Sequence, residues 1–144
     1  MESVNLSQTK RPWHLWLISI LSILWYLSGT YTILMAQAGK LPKLSVEEAA
    51  YYSSQPIWFV ILTDISLLSA LIASIALIIK SRFAFRFFSL SLSTIFITNI
   101  YDLAAGTSRA LANTGAMIVT ILIVTIAILL LMYTWLMKKR SILT

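Results

Sequence analysis

Apolar residues in this chain come in four long runs, Trp13 to Met35, Ile57 to Ile79, Phe83 to Leu103 and Ala116 to Met137, interrupted by isolated small or polar positions. A helix rises about 1.5 Å per residue, so about 20 apolar residues cross the roughly 30 Å of a bilayer's hydrocarbon, and every run is long enough. The pattern predicts an all-α membrane protein, an antiparallel bundle of four transmembrane helices that forms a single membrane domain over residues 1–144. Between the first two runs lies Ser45-Val46-Glu47-Glu48. This is a capping box: the Ser45 hydroxyl accepts the Glu48 amide while the Glu48 carboxylate reaches back. A short interfacial helix from Val46 to about Ser54 is predicted in this first outer loop, with Tyr51 and Tyr52 at head-group level and Pro56 near the first turn of the next span. Such a helix serves as an interfacial strap or, functionally, as a lid.

The interruptions within the runs carry the chemistry. In the first span Ser19, Ser22, Tyr26 and Gly29 share one helical face, which reads as a packing seam. Tyr26 and Tyr31 are expected to anchor the outer end. In the second span Ser66, Ser69, Ala70, Ala73 and Ser74 cluster on one side. Asp64 points roughly 120 to 150° away from them and is the one carboxylate well inside an apolar run. A charge near the bilayer centre costs roughly 2.5 to 3.5 kcal/mol, so such residues face a partner, a cavity or a pathway. The third span is the most polar, with Ser91, Thr94, Thr98 and Asp102 inside an arc of about 80° and Asn99 at its margin. Ser and Thr here usually bond their own backbone or a neighbouring helix. Gly106 is a natural terminator. Arg109 is the only basic residue of the loop that follows and is a candidate partner for Asp102 or Asp64. The fourth span is nearly uninterrupted and is expected to be the most lipid-exposed. The candidate polar cluster is therefore Asp64, Asn99, Asp102, Tyr26, Thr98 and Arg109.

Composition narrows the function classes. Of the 144 residues 59% are hydrophobic and 11% charged, far from the balance of soluble domains, and the short connections leave no room for a soluble catalytic domain. The net charge of +6 is concentrated beside the spans, at Lys10 and Arg11, at Lys80, Arg82 and Arg86, and at Lys138, Lys139 and Arg140. By the positive-inside rule both termini and the middle loop are cytoplasmic. A basic rim of this kind attracts anionic lipid head groups and argues against nucleic acid as the partner. With no cysteine there is no disulfide, thiolate metal site or thiol redox chemistry, which removes the quinone-linked disulfide-forming enzymes of similar layout. The lone His14 beside Trp13 is expected to anchor a helix end, and no metal site or cofactor is implied. Ala36-Gln37-Ala38 after the first run superficially resembles a signal-peptide cleavage site. The apolar run is longer than the roughly 7 to 15 residues of a signal core, so an uncleaved first span is expected.

Arg11-Pro12-Trp13-His14-Leu15-Trp16, then Leu24-Trp25, Gly29 and Met35-Ala36-Gln37, a Glu- and Tyr-rich outer loop and the Pro56-x-Trp58 entry resemble a family of small four-span bacterial inner-membrane proteins. Its members are often labelled sugar transporters or left uncharacterised, and no sugar-binding motif is present here. The resemblance implies a multi-pass protein of the bacterial inner membrane and supplies no catalytic residue. Relatives commonly carry Asn after the tryptophan and Asp three residues after the glycine, where this chain has Tyr26 and Thr32. One expectation follows: the carboxylate has moved between helices and Thr32 and Asp64 mark one polar centre.

Three readings follow. In the first, the protein is a homo-oligomer or an accessory subunit of another membrane protein, and its polar groups specify helix pairing. In the second it is a small transporter or channel component with Asp64 as a proton or cation site. The third, a membrane enzyme with paired aspartates, lacks a nucleophile with a base, a magnesium motif and a metal constellation, so no catalytic residue is assigned and the chain is read as a non-enzyme.

Overall fold

The computed structural model describes residues 12–106 and 114–143. The described residues form helices α1 (Trp13–Gln37), α2 (Val46–Ser54), α3 (Ile57–Ile78), α4 (Phe83–Ala105) and α5 (Thr114–Lys139), with no strand among them. All except α2 are long and apolar enough to cross a membrane, which makes the chain compatible with an integral, multi-pass membrane protein.

Each long helix ends where its backbone can close on itself. α1 runs two residues beyond the apolar stretch to Gln37 because Gly39 turns left-handed at φ 65°, so that the Gly39 and Lys40 amides donate back to Ala36 and Met35 at 3.0 and 2.9 Å. This closure satisfies carbonyls that the last turn would leave open. Lys80 (φ 58°) and Ser141 (φ 55°) repeat it after α3 and α5, with Ser81 donating to Ala76 at 2.8 Å and Ile142 to Met137 at 3.1 Å. The αL residue Gly106 closes α4, as its position in the sequence implies. At the start of α2 the predicted capping box is complete: the Glu48 amide donates to the Ser45 hydroxyl at 3.2 Å and the Ser45 amide to the Glu48 carboxylate at 2.9 Å.

α3 and α4 form a tight antiparallel hairpin about the turn at Lys80-Ser81-Arg82, and they are the central pair of the bundle. α1 packs on α3, and α5 packs on α4. The five small residues expected to form a seam on α3 are all buried, and Ala70, Ala73 and Ser74 have no exposed surface. Ser19, Ser22 and Tyr26 form the matching buried face of α1. Tyr26 is therefore not an interfacial anchor. It lies halfway along α1 on the seam, is 3% exposed and packs its ring on Phe88 at 6.4 Å. Tyr31, by contrast, is exposed. The expectation that α5 is the most lipid-exposed span is also revised. α1 and α5 are equally open, 17% buried each against 39% for α3 and 28% for α4, because both flank the central pair.

The described acids are confined to one half of this bundle, where Lys40 and Lys43 accompany them. Lys80, Arg82, Arg86, Lys138, Lys139 and Arg140 lie at the opposite end, here the basic end, whereas the described acids Glu47, Glu48, Asp64 and Asp102 lie in the half nearer α2. The basic half is tightly packed: Leu15, Leu77, Ala84 and Phe88 are at most 2% exposed, and Leu143 folds back onto this core after the Ser141 turn.

A methyl group at Gly39 would meet nothing within 4 Å, so only the backbone conformation opposes a side chain there. Gly39→Ala should lower stability by about 1 kcal/mol through left-handed strain alone, read as an earlier unfolding midpoint in mixed micelles. An unchanged midpoint would show that the α1 closure does not hold this end.

Candidate functional site

The α2-side half of the bundle opens into a cavity of about 180 Å³. α1 contributes Tyr26 and Gln37, α3 contributes Phe59, Thr63 and Ser66, and α4 contributes Thr98, Asn99 and Asp102, while α2 covers it with Tyr51 and Tyr52. The lining is mostly apolar with a few convergent polar groups, the usual composition of a small-ligand pocket. Helix register shows where it ends. On α3 the lining stops at Leu67, and the next turns, Ala70, Ala73 and Leu77, are fully buried in the basic half. The cavity is blind at mid-bundle.

Of the candidate cluster, Tyr26, Thr98, Asn99 and Asp102 line this cavity together. Asp64 does not. It is half-buried on a different face of α3, and its Oδ1 accepts a hydrogen bond from Nε2 of Gln37, the last residue of α1, at 3.4 Å. Asp64 thus lies level with the end of α1, where an amide can reach it, rather than beside the packed core. Arg109 lies outside the described residues. The Asp102 carboxylate accepts a 2.8 Å hydrogen bond from the Tyr51 hydroxyl, a contact that ties α2 to α4. Thr32 is exposed and returns its hydroxyl to the Ser28 carbonyl at 2.9 Å, so it is Gln37 that supplies α1's polar contact to Asp64.

Most hydroxyls of the spans are satisfied within their own helix. Thr98 donates to the Thr94 and Ile95 carbonyls, and the Asn99 amide donates to Ile95 at 2.8 Å. Thr134 bonds the Leu130 carbonyl in the same way. The exceptions join helices. Ser66 donates to the Ser91 carbonyl at 3.2 Å and meets the Ser91 hydroxyl at 3.3 Å, linking α3 and α4. His14 Nδ1 and the Tyr133 hydroxyl share a 2.8 Å hydrogen bond, so His14 ties α1 to α5 in addition to sitting at a helix end.

Sequence reasoning passed over Gln37 and Tyr51 as partners. Gln37 was legible as an amide at the end of an apolar run, and Tyr51 as the residue one turn beyond the capping-box glutamate. Electrostatics reinforce the α2 contacts. Burial, then the hydrogen bond to and charge of Asp102, push the Tyr51 phenol above its ordinary value of 10.0. Burial and the Glu48 charge raise Tyr52. The Ser45 amide and hydroxyl hold Glu48 below its ordinary 4.5.

No protein-family model matches the chain, and no curated protein or solved structure matches it either. Function therefore rests on the geometry of the helices and their contacts.

Removing the phenol in Tyr51→Phe deletes a hydrogen bond to a charged acceptor, worth about 1.5 kcal/mol, so opening of α2 should rise about tenfold. Amide hydrogen exchange across Val46–Ser54 reads this directly, and unchanged exchange would show that α2 is held by other contacts. The Tyr51 value is raised, so its contribution is complete below pH 10.0 and is lost as pH rises through the raised value. The Glu48 value is lowered, so the cap is complete above pH 4.5 and is lost as pH falls through the lowered value. Protection of the α2 amides, taken relative to their intrinsic exchange rate at each pH, should be highest between those limits and lower on either side.

Proposed function

We propose that this protein is a non-enzymatic membrane interaction protein, a homo-oligomer or an accessory subunit, whose polar residues fix helix pairing. One observation carries the reading: among the described residues, four hydrogen-bonded pairs join four different pairs of helices. Gln37 to Asp64 couples α1 and α3, Tyr51 to Asp102 couples α2 and α4, Ser66 to Ser91 couples α3 and α4, and His14 to Tyr133 couples α1 and α5. Such bonds are worth about 0.6 kcal/mol on average in a membrane, enough to select an arrangement of helices that are already inserted. A compact bundle with a fixed arrangement is a suitable platform for a partner in the plane of the bilayer.

The rival reading, a transporter or channel component with Asp64 as its ion site, has less support. Asp64 lies off the cavity and is engaged by Gln37, and the cavity stops above the packed basic half. A single copy offers an ion no continuous polar route among its described residues. The basic rim and the resemblance to four-span inner-membrane proteins favour a bacterial inner membrane with both termini inside.

Reconstitution into liposomes separates the two readings. Labelled protein should show energy transfer that rises with its mole fraction in the bilayer, or should associate stoichiometrically with a co-purifying membrane protein after reconstitution. Proton and monovalent-cation flux should match that of empty liposomes, for wild type and Asp64→Asn alike. A pH-driven flux that Asp64→Asn abolishes would overturn the proposal in favour of transport.

A further inference from the structure

α1 and α5 flank the central pair, and between them the bundle has a lateral groove of about 500 Å³. Ile18, Leu21 and Trp25 of α1 face Ile126, Leu129 and Tyr133 of α5 across it. From Ile18 to Trp25 the groove runs about 10 Å along the helix axis. Both walls are helices able to span a membrane, so the groove opens sideways toward lipid. At the basic end its walls are tied together by the hydrogen bond between His14 and Tyr133.

We infer that this groove holds an acyl chain of an anionic phospholipid whose phosphate sits at the basic end. The walls select the occupant by shape. Helices associate in membranes through small residues that let backbones approach, and here the walls are Leu, Ile, Trp and Tyr. Ser22, which also lines the groove, turns its hydroxyl to the Ile18 carbonyl at 2.8 Å. A second helix would find no seam, whereas a flexible hydrocarbon chain can fill an irregular apolar slot.

Charge selects the head group. Arg140 is seven residues beyond Tyr133, on the same face of the helical path, because its amide still donates to Leu136 at 3.0 Å. It is exposed at the depth where the head group of a lipid seated in the groove would lie. Lys138 and Lys139, held over the rings of Phe85 and Trp135 at 4.9 and 5.2 Å, surround the same end. The described carboxylates are all in the opposite half, so none competes for these cations. Basic side chains near a membrane surface favour anionic lipid, which accounts for a preference over zwitterionic lipid of the same chain length.

Trp25, 37% exposed in the groove wall, is the reporter. In a variant with Trp13, Trp16, Trp58 and Trp135 changed to Phe, fluorescence is measured in phosphatidylcholine vesicles holding a small mole fraction of brominated-chain phosphatidylglycerol or brominated-chain phosphatidylcholine. The phosphatidylglycerol probe is expected to quench Trp25 at least threefold more effectively. Leu21→Phe, which fills the slot, should reduce quenching by both probes, and Arg140→Gln, a surface change that leaves the core intact, should narrow the difference between the two probes. Equal quenching by the two probes in the unaltered groove would overturn the inference. So would loss of quenching that grows with protein-to-lipid ratio, since that would make a second copy the occupant.

Discussion

Everything in this fold rests on how closely α3 and α4 approach. Lipid tails are as apolar as leucine, so helices inside a membrane gain nothing from hiding apolar surface and must associate through close packing and interhelical hydrogen bonds. Ser66, Ser69, Ala70, Ala73 and Ser74 remove side-chain bulk from one face of α3, and that face is buried throughout. Close approach then lets Ser66 reach Ser91 across the hairpin. The short turn at Lys80-Ser81-Arg82 keeps the two helices antiparallel and in register from the basic end outward.

That packing is uneven along the bundle axis, which is why the molecule has one solid half and one hollow half. Toward the basic end Ala70, Ala73, Leu77, Ala84 and Phe88 fill the space with little exposure. Toward α2 the same pair presents Ser66, Thr98, Asn99 and Asp102, and the larger rings come from α2 and from Phe59, leaving a cavity between them. Polar groups concentrate where packing is incomplete. A carboxylate such as Asp102 stays in that half because a hydroxyl from α2 can reach it.

Much of this was legible in the sequence, for stated physical reasons. Span positions follow from run length against bilayer thickness, α2 from its capping box, and the end of α4 from Gly106. The face of Asp64 opposite the small-residue seam follows from helical periodicity. What periodicity cannot supply is the axial offset and rotation of one helix against another, and these decide partners. Asp64 meets Gln37 only because α1 runs past its apolar stretch to the Gly39 closure. Asp102 meets Tyr51 only because α2 lies across the cavity that α4 helps to line. For the same reason Asp64 looked like a member of the cluster on α4, since the two have similar depth, yet it lies on a different face from the cavity.

The open side of the bundle follows from where the small residues are spent. The seam of α1, with Ser19 fully buried and Ser22 only at the edge of the groove, is turned toward the interior, and Ala127 of α5 is likewise buried. The surfaces that α1 and α5 turn to one another carry Leu21, Trp25, Leu129 and Tyr133, too bulky for close approach without a seam. Where a polar pair is available, at His14 and Tyr133, the two helices are tied together. Along the rest of the groove neither close packing nor a hydrogen bond draws them in. A gap that begins at a polar tie and runs along apolar walls is therefore the expected outcome of a sequence that commits its small residues to the central pair.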